Sequence, residues 1–329
     1  MDIIIAGGGV SAFEAALAAR KSSPDCNIII HSAESIPPYR RPALPGLISA
    51  SEEEFAKIFI RKEDFYQANN IQLILNSRLT GMDPVRKEVT FNGTHVCHYD
   101  KLILATGGKA FLPPIPGIES GNVFTLRTYD DLLRLRKKIA EGAKKFTIVG
   151  GGILGLELAD ALLKCGVAVT LLERSDRLLK KDVSQEDSLM MMKKLESVEN
   201  FKLICAAVTK EVTSQGVLLE SGEIIPGDAV IFSTGSRPEL SGLSPEIKVD
   251  RGIIVNSRME SNVPDVFACG DNSQYEGNVC GLYTTSRAMA AVAGNNAAGN
   301  LTEYIPKHNT ISLNVLGFKM SSDGKVTVK

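Results

Sequence analysis

Apolar positions along the chain fall into two matching series. Ile3–Ala6 form an unbroken apolar run, followed by a glycine turn and an alanine-rich stretch reaching Ala19. A short continuous apolar run reads as a strand buried on both faces, and the stretch after it reads as a helix. A second strand in "NIIIHSA" and a region of alternating positions come next, and a closing run ends in Thr106-Gly107. The same order recurs from "FTIVGGG" through "VAVTLL" to "DAVIFSTGS", closing in Thr234-Gly235. Asn92-Gly93 and Ser221-Gly222 predict a hairpin before each closing strand. A repeat this long reads as a duplicated domain rather than a solenoid. Proline-rich "FLPPIPGIES" reads as a linker between the copies. After the second copy come "VPDVFACGDNS", an alanine-rich helix over about 284–299 and a β-like tail, "TISLNVLGFKM".

The two glycine turns carry the chemistry. The first is Gly7-x-Gly9-x-x-Ala12 and the second Gly150-x-Gly152-x-x-Gly155. In such a turn the first glycine permits the tight bend and the second leaves room for a pyrophosphate. The third position must be small so that helix and strand can approach. Phosphates then meet backbone N–H groups at the positive end of a helix. Each turn follows a strand and opens a helix, and each is followed by an acid near the end of the next strand, Glu34 and Glu173. A carboxylate there accepts hydrogen bonds from ribose hydroxyls. Two such sites imply two dinucleotides. A nicotinamide nucleotide carries a hydride, and a flavin accepts it and releases electrons singly. A chain holding both is a flavoprotein that oxidises NAD(P)H.

Composition narrows the setting. The chain has 329 residues, a hydrophobic fraction of 44% and a formal net charge of −1. Nothing global favours nucleic acid or an acidic membrane surface. No apolar run approaches the roughly 20 residues of a membrane span. The acidic second residue and the immediate strand do not read as a signal peptide, so the expected compartment is the cytoplasm. Six dispersed cysteines, with no CxxC pair, read as mostly buried thiols.

"YDKLILATGG", "VGGGILGLELA", "STGSRPEL" and "DVFACGDNS" stand in the order and spacing of the pyridine nucleotide–disulfide oxidoreductase superfamily, which the chain resembles over about residues 1–320. The resemblance implies an α/β fold of two Rossmann-like three-layer domains, one inserted in the other. FAD would bind 1–110 and 236–304, NAD(P)H would bind 111–235, and 305–329 would be a truncated C-terminal β segment. FAD contacts would come from Gly7, Gly9, Ala12, Glu34, Arg41, Pro42, Thr106, Gly107, Gly270 and Asp271. Nicotinamide nucleotide contacts would come from Gly150, Gly152, Ile153, Gly155, Glu157, Glu173 and Gly235. Disulfide reductases in the superfamily need a redox cysteine near the flavin, yet "ESIPPYRRPALPGLIS" has none. Its Tyr39, Arg41, Pro42 and Leu44 resemble the Y-x-R-P-x-L segment of NADH:rubredoxin reductases, ferredoxin reductases and the flavin module of nitrite reductases. The implied activity is hydride transfer from NADH to FAD, then electron transfer to a small redox protein such as rubredoxin or ferredoxin. Glu157 and Arg41 would shape the flavin–nicotinamide contact, with no side-chain acid, base or nucleophile required. Oxygen or quinone as acceptor, as in an NADH oxidase or diaphorase, and a role as flavoprotein subunit of a larger redox complex are the alternatives.

Four positions depart from these relatives. Gly46 stands where a lysine often faces the glutamate matched by Glu157, Tyr283 where tryptophan is common, and Met289-Ala290 where Gln-Gly is common. The relatives also continue into a further domain that covers the flavin. Glu173 favours NADH, because a 2′-phosphate beside its carboxylate would place like charges together. Arg174 and Arg177 pull the other way.

Other features are expected to be structural. His95 and Cys97 share one strand face while His98 points away, so a metal would need ligands from elsewhere and none is expected. His31 either faces the adenosine end of the first site or simply ends a strand. "SLMMMKK" reads as helix packing, and Cys269 as a small buried thiol. "LRLRKKIAEGAKK" reads as a solvated basic helix face, with docking of an acidic carrier as the sharper alternative.

Overall fold

The computed structural model describes residues 1–306, 313–321 and 325–328. It is an α/β chain of two compact units. One comprises Met1–Arg41, Ile58–Lys109 and Arg237–Asn309; the other comprises Pro42–Lys57, Ala110–Ser236 and Thr310–Lys329.

The first unit is built on a parallel sheet of five strands. Their order is Val266–Ala268, Lys101–Leu104, Asp2–Ala6, Asn27–His31 and Ile71–Ile74. Ile3, Ile5, Ile28 and Ile30 are fully buried, as a sheet covered on both faces requires, and each such side chain contributes roughly 1.5–3 kcal/mol. The chain leaves the central strand, Asp2–Ala6, through the helix Val10–Ser22 and pairs Asn27–His31 on one side, with Ala6 opposite His31. Lys101–Leu104 pairs on the other side. The order therefore reverses at the carboxyl end of Asp2–Ala6, where open α/β sheets hold their ligands. The helix Val10–Ser22 buries its alanines, and the helix Tyr283–Ala297 lies against it. Gly294 permits that approach, since a Cβ there would lie 2.1 Å from the Ala15 carbonyl oxygen.

The second unit repeats the plan, with strand order Phe201–Ile204, Ala168–Leu172, Lys145–Val149, Ala229–Phe232 and Val123–Phe124. The helix Ile153–Lys164 follows the central strand, and Val149 stands opposite Leu172. Each unit also carries a three-stranded antiparallel sheet with the expected hairpin turn. These are Leu79–Asp83, Glu88–Phe91 and His95–His98, and Thr209–Thr213, Gly216–Leu219 and Ile224–Pro226. Asn92 (φ 52°) and Gly93 (φ 79°) both take the left-handed conformation of a tight hairpin. The first strand of each sheet bears an irregularity at the same place, between Leu79 and Gly81 and between Thr209 and Glu211. A shared defect of this kind marks a duplicated domain.

Two segments differ from the sequence expectation. Residues 42–57 group with the second unit, not the first: the Arg136 guanidinium donates to the carbonyls of Leu47 (2.7 Å) and Ala50 (2.8 Å). "FLPPIPGIES" is packed rather than a free linker. Ile115 and Ile118 lie on the second core, Val212 N–H donates to Pro116 at 2.9 Å, and a Cβ on Gly117 would lie 1.8 Å from the Val212 carbonyl oxygen. The tail forms an antiparallel sheet of Leu313–Val315, Phe318–Met320 and Val326–Val328 on the second unit, where Leu316 N–H donates to Asp160 at 3.0 Å. Thr310–Ser312 of the expected tail strand lie outside the described residues.

Candidate functional site

Both glycine turns sit at a carboxyl edge where the strand order reverses. Gly7 (φ 144°) and Gly150 (φ 116°) take backbone conformations closed to other residues. A Cβ on Gly7 would lie 2.0 Å from the Ala105 carbonyl oxygen, and one on Gly150 would lie 2.4 Å from that of Ser233. The second glycines behave differently: a Cβ on Gly9 or Gly152 would meet nothing within 4 Å. Each is the N-cap of its helix and, among the described residues, neither helix start receives a side-chain cap. Neither first turn carries an acid. Two other helices are capped by side chains, by Thr128 with Asp131 in a full capping box at Tyr129–Ala140 and by Ser184 at Gln185–Leu195, while Tyr283–Ala297 also starts without one. The two glycine starts thus keep their N–H groups and positive dipole ends for an anion. Ala12 and Gly155 fill the third position. Ala12 is fully buried, and a Cβ on Gly155 would lie 2.0 Å from the Gly150 carbonyl oxygen.

The acids differ between the turns. Glu173 directly follows the strand Ala168–Leu172, and its carboxylate accepts from Gly151 N–H (2.8 Å) and Ser175 N–H (2.7 Å). It is therefore fixed at the rim of the second turn. Arg177 points back to the Lys180 carbonyl at 3.4 Å, and Arg174 is exposed. In the first unit the strand ends at His31, so the position matching Glu173 is Ser32, and a Cβ on Gly8 would strike its hydroxyl. Glu34 stands two residues beyond. Its carboxylate accepts from the Tyr39 hydroxyl (2.7 Å) and is paired with Arg41 (2.7 Å). Burial opposes the Arg41 charge, but Tyr39, Glu34 and Asp271 together push its pKa further up. Arg41 is fixed as a cation.

The returning segment completes the first site. A Cβ on Gly270 (φ 85°) would lie 2.4 Å from the Ser11 hydroxyl, which places Gly270-Asp271 against the start of the first-turn helix. Asp271 accepts from the Ser286 hydroxyl at 3.1 Å. The first glycine turn, Glu34, Arg41 and Asp271 thus gather in the first unit, with amide and guanidinium donors suited to phosphate and carboxylate acceptors suited to ribose hydroxyls. Pro42 is exposed and belongs to the second unit.

The two Thr-Gly pairs have a structural task. Thr106 donates its hydroxyl to the Glu239 carbonyl at 2.7 Å, and Thr234 donates to the Phe111 carbonyl at 2.6 Å. Gly107 and Gly235 both have positive φ. Each pair ties down the chain where it crosses between the units. Sequence reasoning read Thr106, Gly107 and Gly235 as cofactor contacts and gave Thr234 no such role.

Glu157 lies in the helix Ile153–Lys164, two residues past Gly155. Burial, helped by the Asp160 charge, pushes its carboxyl up to about 7. The segment Pro45–Ile48 packs on the same helix, and a Cβ on Gly46 would meet nothing within 4 Å. His31 does end a strand. Its backbone carbonyl accepts from Gly7 N–H at 2.8 Å, while its ring stacks on Phe91 at 3.7 Å. All six cysteines are free thiols, and Cys269 is buried.

Residues 1–296 match the family described as pyridine nucleotide-disulphide oxidoreductase. The chain is 32% identical over 325 residues to the NADH-rubredoxin oxidoreductase of Clostridium acetobutylicum, covering 98% of this chain and 82% of that protein. It is 33% identical over 276 residues to a rubredoxin-NAD(+) reductase of Pseudomonas putida, covering 82% and 71%. The crystal structure of the Clostridium enzyme superposes with a TM-score of 0.83, covering 97% of this chain and 80% of that one.

Proposed function

Because the chain belongs to the pyridine nucleotide-disulphide oxidoreductase family, we propose that it is an FAD-dependent NADH oxidoreductase that passes electrons to a small redox protein such as rubredoxin or ferredoxin. The observation that carries this reading is the pair of glycine-capped helix starts, each at a strand-order reversal and each with its amides left for phosphate. Gly7, Gly9 and the first turn of Val10–Ser22 hold the FAD pyrophosphate, Ala12 lets that helix approach its strand, and Glu34, Arg41 and Asp271 hold the groups flanking it. Gly150, Gly152 and Ile153 hold the NADH pyrophosphate, Gly155 permits close packing, and Glu173 takes the adenosine ribose. Bound FAD supplies the redox chemistry, taking a hydride and releasing its electrons one at a time. The protein binds and orients. "ESIPPYRRPALPGLIS" has no cysteine, so no thiol in this stretch shares the chemistry.

The Glu173 carboxylate is anchored by two backbone amides and cannot swing away from a 2′-phosphate. This favours NADH over NADPH. No described helix is long and apolar enough to cross a membrane, and we place the enzyme in the cytoplasm.

The test is anaerobic addition of NADH to the FAD-loaded protein, followed by rubredoxin, ferredoxin, a quinone or oxygen. NADH should bleach the flavin within the dead time of manual mixing, and a carrier protein should restore its colour. A flavin that NADH leaves oxidised rejects the reading. Reoxidation as fast by oxygen or quinone as by either carrier rejects the acceptor.

A further inference from the structure

The first unit brings together three metal-ligating side chains outside both glycine turns. His31, at the end of Asn27–His31, is buried, while His95 and Cys97 lie on the outer strand of the small antiparallel sheet. The Cys97 sulfur is 3.2 Å from His95 Nε2 and 3.9 Å from His31 Nε2, and the three ligand atoms all lie within 4.8 Å of one another. We propose that His31, His95 and Cys97 form a zinc site of two imidazoles and one thiolate, with the fourth position open to water.

The sequence supplied two of these ligands on one strand face, and the fold supplies the third. His31 Nδ1 lies 2.8 Å from the Ser77 hydroxyl. With the proton on Nδ1 donated to that hydroxyl, Nε2 presents a lone pair to Cys97. The ring is further fixed by stacking on Phe91 at 5° between planes. An oriented imidazole with a polar partner on its far nitrogen is the usual support of a zinc-bound histidine. The thiol has one hydrogen to offer two ring nitrogens, whereas a cation answers all three groups at once. Ligand atoms in a tetrahedral zinc site with two nitrogens and a sulfur stand about 3.3–3.6 Å apart. The two spacings at Cys97, 3.2 Å to His95 and 3.9 Å to His31, lie on either side of that range, so the thiol must shift toward His31 while His95, which is exposed, turns to follow it. Exposure of His95 also gives the ion its way in. On binding, the Cys97 S–H bond breaks, a sulfur–zinc bond forms, and the proton passes to solvent.

The site would fasten the hairpin to the strand whose last carbonyl holds Gly7. It is separate from the hydride chemistry.

The FAD-loaded protein, treated with EDTA and freed of chelator, is titrated with Zn²⁺ by calorimetry and with Co²⁺ by absorption. One equivalent of Zn²⁺ should bind and shield one thiol from a thiol reagent, and Co²⁺ should give a sulfur-to-cobalt charge-transfer band. Cys97→Ser should abolish that band. His95→Ala, at an exposed position that tolerates change, should weaken Zn²⁺ binding by about 100-fold or more. Ser77→Ala should cost about 10–100-fold. His98→Ala, on the opposite face, should leave binding unchanged. No stoichiometric Zn²⁺ binding by the wild type, a band that survives Cys97→Ser, or equal loss in His98→Ala overturns the assignment.

Discussion

The two glycine turns are copies of one device that have diverged at the acid. In the second, Glu173 stands directly at the strand end and is held by the turn's own Gly151 amide. In the first, Ser32 occupies that place, and the carboxylate has moved into the following loop, where Tyr39 and Arg41 hold it. The glycines are almost unchanged, because backbone clashes leave little choice at Gly7 and Gly150. What surrounds them was free to vary. A site can therefore keep its grip on pyrophosphate while changing how it meets the rest of the nucleotide.

Substitutions that separate shape from binding test this comparison most strongly. Gly7→Ala and Gly150→Ala drive a methyl into a carbonyl and force a positive φ on alanine. Each should destabilise its unit by about 2–4 kcal/mol, read by denaturant unfolding. Gly9→Ala and Gly152→Ala place the methyl in open space. Compared free of coenzyme, these should unfold nearly as the wild type does, yet Gly9→Ala should lose FAD on gel filtration and Gly152→Ala should raise the KM for NADH at least about tenfold, or ~1.4 kcal/mol. Unchanged binding in both would remove the assignment of these turns to phosphate.

The acids come next in size. Glu173→Gln should lower kcat/KM for NADH by about tenfold, as expected for loss of a charge-assisted hydrogen bond. It should also narrow the preference over NADPH. Glu34→Gln should leave the KM for NADH alone and weaken FAD retention. An effect of Glu34→Gln on NADH would show that the two acids are not divided between the turns.

The smallest effect concerns Glu157. Its folded-state value of about 7 lies above the ordinary 4.5, so the folded chain holds the extra proton between those limits. Its contribution is fullest near pH 4.5 and below, declines as pH rises, and levels off above about 7. Glu157→Gln should therefore match the wild type near pH 4.5 and be the more stable protein at pH 8 in thermal melts. Gly46→Lys, which has room for its side chain, should shrink the difference if the lysine pairs with Glu157 as in the relatives the sequence resembles.

The parts of this molecule that could be read in advance are local ones. A strand, a glycine turn and a helix follow one another within about 20 residues, and their pattern repeats. The hairpin at Asn92-Gly93 is equally local. Features made by distant contacts were not legible. Nothing near Arg136 in sequence announces its bonds to Leu47 and Ala50, which draw 42–57 into the second unit. Nothing near Cys97 names His31, 66 positions earlier. The alternation that placed His95 and Cys97 on one face was correct, but the ring facing them comes from another sheet. The match of Ser32 to Glu173 was missed because it depends on where each strand ends, and strand ends are the least certain part of a sequence reading.

Helix starts capped by glycine have a cost that appears when coenzyme is scarce. A threonine cap, such as Thr128, secures its helix at all times, whereas Val10–Ser22 and Ile153–Lys164, which have no side-chain cap, would draw that security from a docked anion. Resistance of this chain to heat and proteases should thus rise and fall with vitamin supply, so that a flavin-starved cell would clear the empty polypeptide faster than the loaded one.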